Sequence, residues 1–102
     1  MEFEWDDQKN RINIDKHGLS FEISPLVFGG FFVSKPDNRK DYGESRQCAM
    51  GTLGPDGRVV IVAYTTRNGM TRIISMRKAN KREQKIFYQI LEKHSEGEVA
   101  HD

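Results

Sequence analysis

Cysteine is all but missing from this chain. Cys48 stands alone among 102 residues, so no internal disulfide supports the fold, and the usage suits a reducing compartment. Flanked by apolar residues of an expected strand, Cys48 reads as a small core residue rather than a nucleophile. Long apolar runs are missing too. None approaches the roughly 18 residues of a membrane helix, and mean hydropathy is −0.70. The opening residues Met1-Glu2-Phe3-Glu4-Trp5-Asp6 are acidic and lack the apolar stretch of a secretory leader, so the expected location is the cytoplasm. Histidine occurs only at His17, His94 and His101, without metal-site spacing, and there is no phosphate-binding glycine loop or serine nucleophile motif. A chain this short cannot enclose a large cofactor. No cofactor or metal is expected, and the chemistry left open is acid-base and electrostatic work in a shallow groove lined by long side chains.

Charge is plentiful but unevenly placed. The net charge is +1. Between Arg67 and Lys85 stand Arg67, Arg72, Arg77, Lys78, Lys81, Arg82 and Lys85 against a single acid, Glu83, whereas Glu2, Glu4, Asp6 and Asp7 open the chain with no base among them. A near-neutral total therefore conceals one basic stretch, the footprint of a surface that meets phosphate backbones or else an ordinary solvated helix face.

The pattern predicts an α+β fold with a single domain over residues 1–94 and a polar, frayed tail over 95–102. A short strand covers residues 1–5. Asp6 caps a helix that runs to His17 and stops at Gly18. Ser20 caps a second helix through Phe28, kept short by Pro25 and closed by Gly29-Gly30. Residues 31–33 form a brief strand, and 34–44 an exposed loop rich in Pro, Asp, Asn, Lys and Gly. An antiparallel meander follows over 46–53, 59–66 and 71–77, turned at Gly54-Pro55-Asp56-Gly57 and at Asn68-Gly69. Asn80 caps a final helix to about His94, with Ile86, Phe87, Ile90 and Leu91 as its apolar stripe.

The turns imply a register. A two-residue loop at Asn68-Gly69 sets Thr66 against Thr71, Tyr64 against Ile73, Val62 against Ser75 and Val60 against Arg77. Pairing Gly54 with Arg58 sets Arg46 against Thr66, Cys48 against Tyr64 and Met50 against Val62. One sheet face is then apolar (Ala49, Gly51, Leu53, Val59, Ile61, Ala63, Ile74, Met76). The other mixes Met50, Val62 and Ile73 with Arg46, Tyr64, Ser75 and Arg77. This half-polar face is either a working surface or the seat of the last helix.

RNA cleavage is within reach of such a surface, because the substrate brings its own 2′-hydroxyl nucleophile. The protein must move protons and hold the charge that gathers on the phosphoryl oxygens. Arginine forks suit the second task, which singles out Arg46 and Arg77. In the predicted register six residues of strand separate them, roughly 20 Å, so they mark two points on an RNA strand rather than one phosphate. His17 is the first proton carrier considered. It shares one face of the first helix with Asn10 and Asn13, a polar face turned to a groove, or it is simply a cation at the helix C-terminus. Glu44 is either the ion-pair partner of Arg46 or a base. Tyr64 and Tyr88 either stack bases and handle protons or belong to the core. Lys9, Arg67, Arg72 and Lys78 complete the candidate RNA contacts.

Phe3-Glu4-Trp5-Asp6, Lys9-Asn10, Asn13, Lys16-His17-Gly18 and Ser20-Phe21-Glu22 with Val27-Phe28 resemble the opening of the BrnT toxins. Tyr42-Gly43-Glu44-Ser45-Arg46, the run from Arg72 to Ala79, then Glu83 and Tyr88 continue the resemblance in order and spacing. Ile23-Ser24-Pro25 departs from it, replacing helix-friendly residues. The resemblance implies a RelE-like fold and an endoribonuclease that blocks translation as the toxin of a type II toxin-antitoxin pair. It also implies a BrnA-type antitoxin with a DNA-binding domain, assembled with the toxin as a hetero-oligomer such as 2:2 and bound through that domain to operator DNA. Rival readings are a non-catalytic RNA- or ribosome-binding module, a poison of DNA gyrase on the same fold, and a purely structural interaction protein.

Overall fold

Local signals become elements in the expected order. In the computed structural model, which describes residues 1–55 and 57–100 apart from the side chains of 96–100, Asp6 accepts from the backbone N–H groups of Gln8 and Lys9 at 2.9 and 3.1 Å and caps helix α1, Asp7–His17. Gly18 closes it in the left-handed conformation at φ 70°. The second expected helix is divided. Ser20 caps a single 3₁₀ turn, Phe21–Ile23, and the short helix α2, Ser24–Phe28, follows. Pro25 stands in the first turn of α2, where a missing N–H leaves no bond unmade. Helix α3, Lys81–Ala100, opens with a reciprocal capping box. Glu83 N–H donates to Asn80 Oδ1 at 2.8 Å, and Asn80 N–H donates to Glu83 Oε1 at 2.9 Å. The helix continues beyond His94 to Ala100. The apolar stripe marks where α3 must pack, not where its backbone hydrogen bonds end. Of the expected tail, residues 101–102 lie outside the described residues.

Strands β1 (Phe3–Glu4), β2 (Phe32–Pro36), β3 (Gln47–Thr52), β4 (Val59–Arg67) and β5 (Met70–Lys78) form one sheet in the order β1-β5-β4-β3-β2. Only β1 runs parallel to its neighbour. Strand β2 extends into the stretch read from the sequence as loop. Asn68 and Gly69, at φ 52° and 77°, make the two-residue hairpin turn, and Thr66–Thr71 and Tyr64–Ile73 pair as predicted.

Beyond that point the predicted register fails twice. Strand β5 skips Ile74 in a bulge, so Ala63 faces Ser75, Val62 faces Met76 and Ile61 faces Arg77. In the other hairpin Leu53 N–H donates to Arg58 O at 3.1 Å. Leu53 rather than Gly54 thus faces Arg58, and Ala49 pairs with Val62 and Met50 with Ile61. A one-residue slip exchanges the faces of a strand. Val60, Val62, Ile73 and Met76 therefore join Leu19, Phe21 and Val27 in a core beneath α1 and α2. Val59, Ile61 and Met50 sit on the opposite side with Phe87, Ala79 and Leu91, under α3. The predicted apolar face is corrected accordingly: Val59, Ile61 and Ala63 do not share a side with Ala49 and Gly51.

Two members of the polar face of α1 hold this arrangement together. Strand β1 pairs only with Thr71 and Arg72, which leaves the rest of that β5 edge without a strand neighbour. Asn13 fills the gap: buried, it accepts from Met76 N–H at 3.0 Å and donates through Nδ2 to Leu19 O at 2.9 Å. Asn10 Oδ1 accepts from Phe21 N–H at 2.8 Å. Each buried group stripped of its partner costs roughly 1–3 kcal/mol. Asn13→Ala, which strips two, should lower unfolding stability by about 2–4 kcal/mol in a denaturant titration, whereas Ile12→Ala at the exposed neighbouring position should stay within about 0.5 kcal/mol.

Candidate active site on the open half of the sheet

Helix α3 covers its sheet face only around Val59, Ile61 and Met50. The remainder of that face is largely polar, with Ser75 exposed near its middle opposite the buried Ala63. Strand alternation and the observed register send Thr65, Arg67, Arg72, Ser75, Arg77 and Cys48 to this side. Arg46, just ahead of β3, continues the side of Cys48. Because Arg77 faces Ile61, and Ile61 faces Met50, Arg46 and Arg77 stand four residues apart along the strands. That is roughly 13 Å along the sheet, shorter than the separation that the predicted register implies.

The segment between β2 and β3 builds one end of the face. Asp37, with only 3% of its side chain exposed, receives the Arg39 fork at 2.8 and 2.9 Å and the Tyr42 hydroxyl at 3.2 Å. The Arg39 guanidinium holds the Asp37 carboxyl well below the usual carboxylate range. Thr65 Oγ1 donates to Ser45 O at 2.6 Å and ties the segment to β4. The Arg46 guanidinium lies 4.1 Å from the centre of the Tyr42 ring, a cation–π contact. Glu44 is the common acceptor. Its Oε2 takes two bonds from Arg67 at 3.1 and 2.8 Å, and its Oε1 takes a longer one from Arg46 Nε at 3.5 Å. Arg67 above all holds the Glu44 carboxyl below its ordinary value, against the opposing effect of burial. Glu44 is thus chiefly the partner of Arg67, and it organises two arginines at once.

At the other end Arg77 forks onto Glu83, both contacts at 2.8 Å. This arginine holds Glu83 down at about 2, and the carboxylate in turn raises Arg77. Arg72 reaches Glu4 at 3.3 Å. His17 stands at the bulged edge of β5, where Lys9, Lys16, Ile74 and Ser75 share with it a hollow of about 180 Å³.

Three predicted site residues stand apart. Tyr64 lies on the opposite face, packed edge-on against Phe28 and bonded to Ser34 Oγ at 2.7 Å and Gln47 Oε1 at 3.2 Å. Lys78 pairs with Val60 and so leaves β5 on the side away from Arg77. Tyr88 lines a different hollow with Leu26 and Pro25. The register errors explain Tyr64, whereas Lys78, next to Arg77 in the same strand, is sent to the other side by alternation in any register. Asp37, Arg39 and Tyr42 go unrecognised in the sequence as site residues because a loop offers no periodicity by which to place them.

The Glu83 ion pair has a pH signature. Its folded carboxyl sits near 2 against an ordinary 4.5, so its contribution is complete above pH 4.5 and drains away as pH falls towards 2. Thermal melts across that window should show the wild type losing more stability than Glu83→Gln, which keeps the helix cap but never carries the charge.

A search of curated proteins finds no match. A sequence model of the family described as "Ribonuclease toxin, BrnT, of type II toxin-antitoxin system" matches residues 5–83, a span that holds every arginine of the open face together with Glu44, Glu83 and His17. The chain belongs to the BrnT family of ribonuclease toxins, whose type II toxin-antitoxin systems pair the toxin with an antitoxin.

Proposed function

We propose that this toxin cleaves RNA by metal-independent transphosphorylation on the open sheet face, with Arg46 and Arg77 as the phosphate clamps and His17 as the proton carrier. The observation that carries the reading is the gathering of Arg46, Arg67, Arg72 and Arg77 on one side of the sheet. In the reaction the ribose 2′-oxygen attacks phosphorus and the bond to the 5′-oxygen breaks, leaving a cyclic phosphate and a free 5′-hydroxyl. Two proton transfers accompany it, one from the 2′-hydroxyl and one to the leaving oxygen. The guanidinium groups stabilise the added charge on the phosphoryl oxygens. Glu44 positions Arg46 and Arg67 rather than acting as a base, since its depressed pKa makes it a poor proton acceptor near neutrality. Lys9, Arg67 and Arg72 extend the contact along the strand.

The paired carboxylates neutralise the arginines in the free protein, so RNA phosphates compete with Glu44 and Glu83 for guanidinium N–H groups. The same charge pattern supports a BrnA-type antitoxin that covers the groove partly by charge in a 2:2 complex in the cytoplasm and carries the complex to operator DNA.

Purified protein incubated with RNA in the presence of EDTA should generate new 5′-hydroxyl ends. Arg46→Ala and Arg77→Ala should each slow cleavage by about a hundred- to a thousandfold while melting as cooperatively as the wild type. Binding without cleavage at high enzyme would make the protein an RNA-binding module, and a shift in plasmid supercoiling would make it a gyrase poison; either result replaces this reading. Association with the antitoxin should weaken steeply as salt rises, as calorimetry across an ionic-strength series would register.

A further inference from the structure

Beside Arg77 the open face runs into a groove between α3 and strands β2 and β3. Its volume is about 300 Å³, and Val33, Met50, Ile61 and Ile90 make its apolar walls while Lys35 and Glu83 stand at its rim. Two features set it apart from ordinary surface. Ile86 and Ile90, one helical turn apart on α3, remain 42% and 37% exposed along it. The rim also carries a cation: Lys35 makes no ion pair among the described residues.

Resting on the RNA-cleaving reading above, we propose that this groove is a nucleobase subsite that receives one unstacked base of the bound strand and favours a base with an exocyclic amine. The occupant must be flat and apolar on its faces yet tethered to negative charge, since the groove has aliphatic walls and opens beside the arginines of the open face. A nucleotide has that combination; free aliphatic or acidic ligands have half of it each. Bases splayed out of the stack are the usual object of single-strand recognition. The edge preference comes from Glu83. Its Oε1 already accepts from Arg77 Nη1 at 2.8 Å and Asn80 N–H at 2.9 Å, whereas among the described residues Oε2 accepts only from Arg77 Nη2 at 2.8 Å. A carboxylate oxygen has two lone pairs, so Oε2 retains one for an amine donor. Adenine and cytosine supply that amine and uracil does not.

Short homopolymers of 2′-O-methyl adenosine, cytidine and uridine test this directly, because they cannot be cleaved and binding is read alone. Fluorescence anisotropy should rank adenosine and cytidine above uridine by about tenfold, the low end of what one hydrogen bond to a charged group contributes. The doubly changed protein Ile86→Gln, Ile90→Gln, altered only at exposed helix positions, should melt like the wild type, bind all three polymers more weakly and lose the difference between them. Equal affinities in the wild type, no binding of any polymer, or a difference that survives in the folded double variant would each overturn the subsite. So would a double variant that loses its antitoxin while keeping base discrimination, since the groove then seats a protein. Failure of natural RNA to be cut while the homopolymer ranking holds would overturn the catalytic reading alone.

Discussion

One carboxylate joins the helix, the sheet and the site. Glu83 closes the capping box with Asn80 at the start of α3 and grips Arg77 with both oxygens at 2.8 Å. Its position in the first turn also complements the positive end of the helix. Satisfying the helix start therefore locates the arginine, and locating the arginine sets the angle at which α3 leaves the sheet. Phe87 and Leu91 then reach back to Val59, Ile61 and Met50, and the groove beside them takes its shape from the same constraint.

The second organising feature is the uneven covering of the sheet. Helices α1 and α2 close one face over Val60, Val62, Ile73 and Met76. Helix α3 closes only part of the other, and the described residues form no further element to finish it. Long polar side chains occupy what is left. Arginines suit such a place because their aliphatic stems cover apolar atoms while the forks stay at the surface. Each fork of this face meets a carboxylate: Arg67 on Glu44, Arg72 on Glu4, Arg77 on Glu83. Such pairing orients the guanidinium planes before any ligand arrives, and orientation in advance is what electrostatic catalysis requires.

Elements with a local cause were readable in advance. Asp6, Gly18, Ser20, Asn80 and the Asn68-Gly69 turn act through bonds within a few residues of themselves, so their signatures survive in the linear chain. The family, too, was legible from the order and spacing of short motifs between Phe3 and Tyr88. The polar stripe of Asn10, Asn13 and His17 was visible but only half legible, for Asn13 and His17 do line a hollow at the edge of β5. Two of its three members serve distant backbone groups, Phe21 N–H and Met76 N–H, and nothing in α1 itself distinguishes such a face from a groove lining.

Composition and local pattern determined that this would be an α+β chain with a basic stretch, an antiparallel meander and a capped last helix. Only the tertiary structure decided which arginines share a side. Side chains alternate with a period of two residues, so the bulge at Ile74 and the loop that pairs Leu53 with Arg58 each reassign a whole strand face. Both depend on backbone partners across the sheet rather than on the residues at the turn, and it is those partners that bring Arg67 and Arg72 to the side of Arg46 and Arg77 and send Tyr64 to the other.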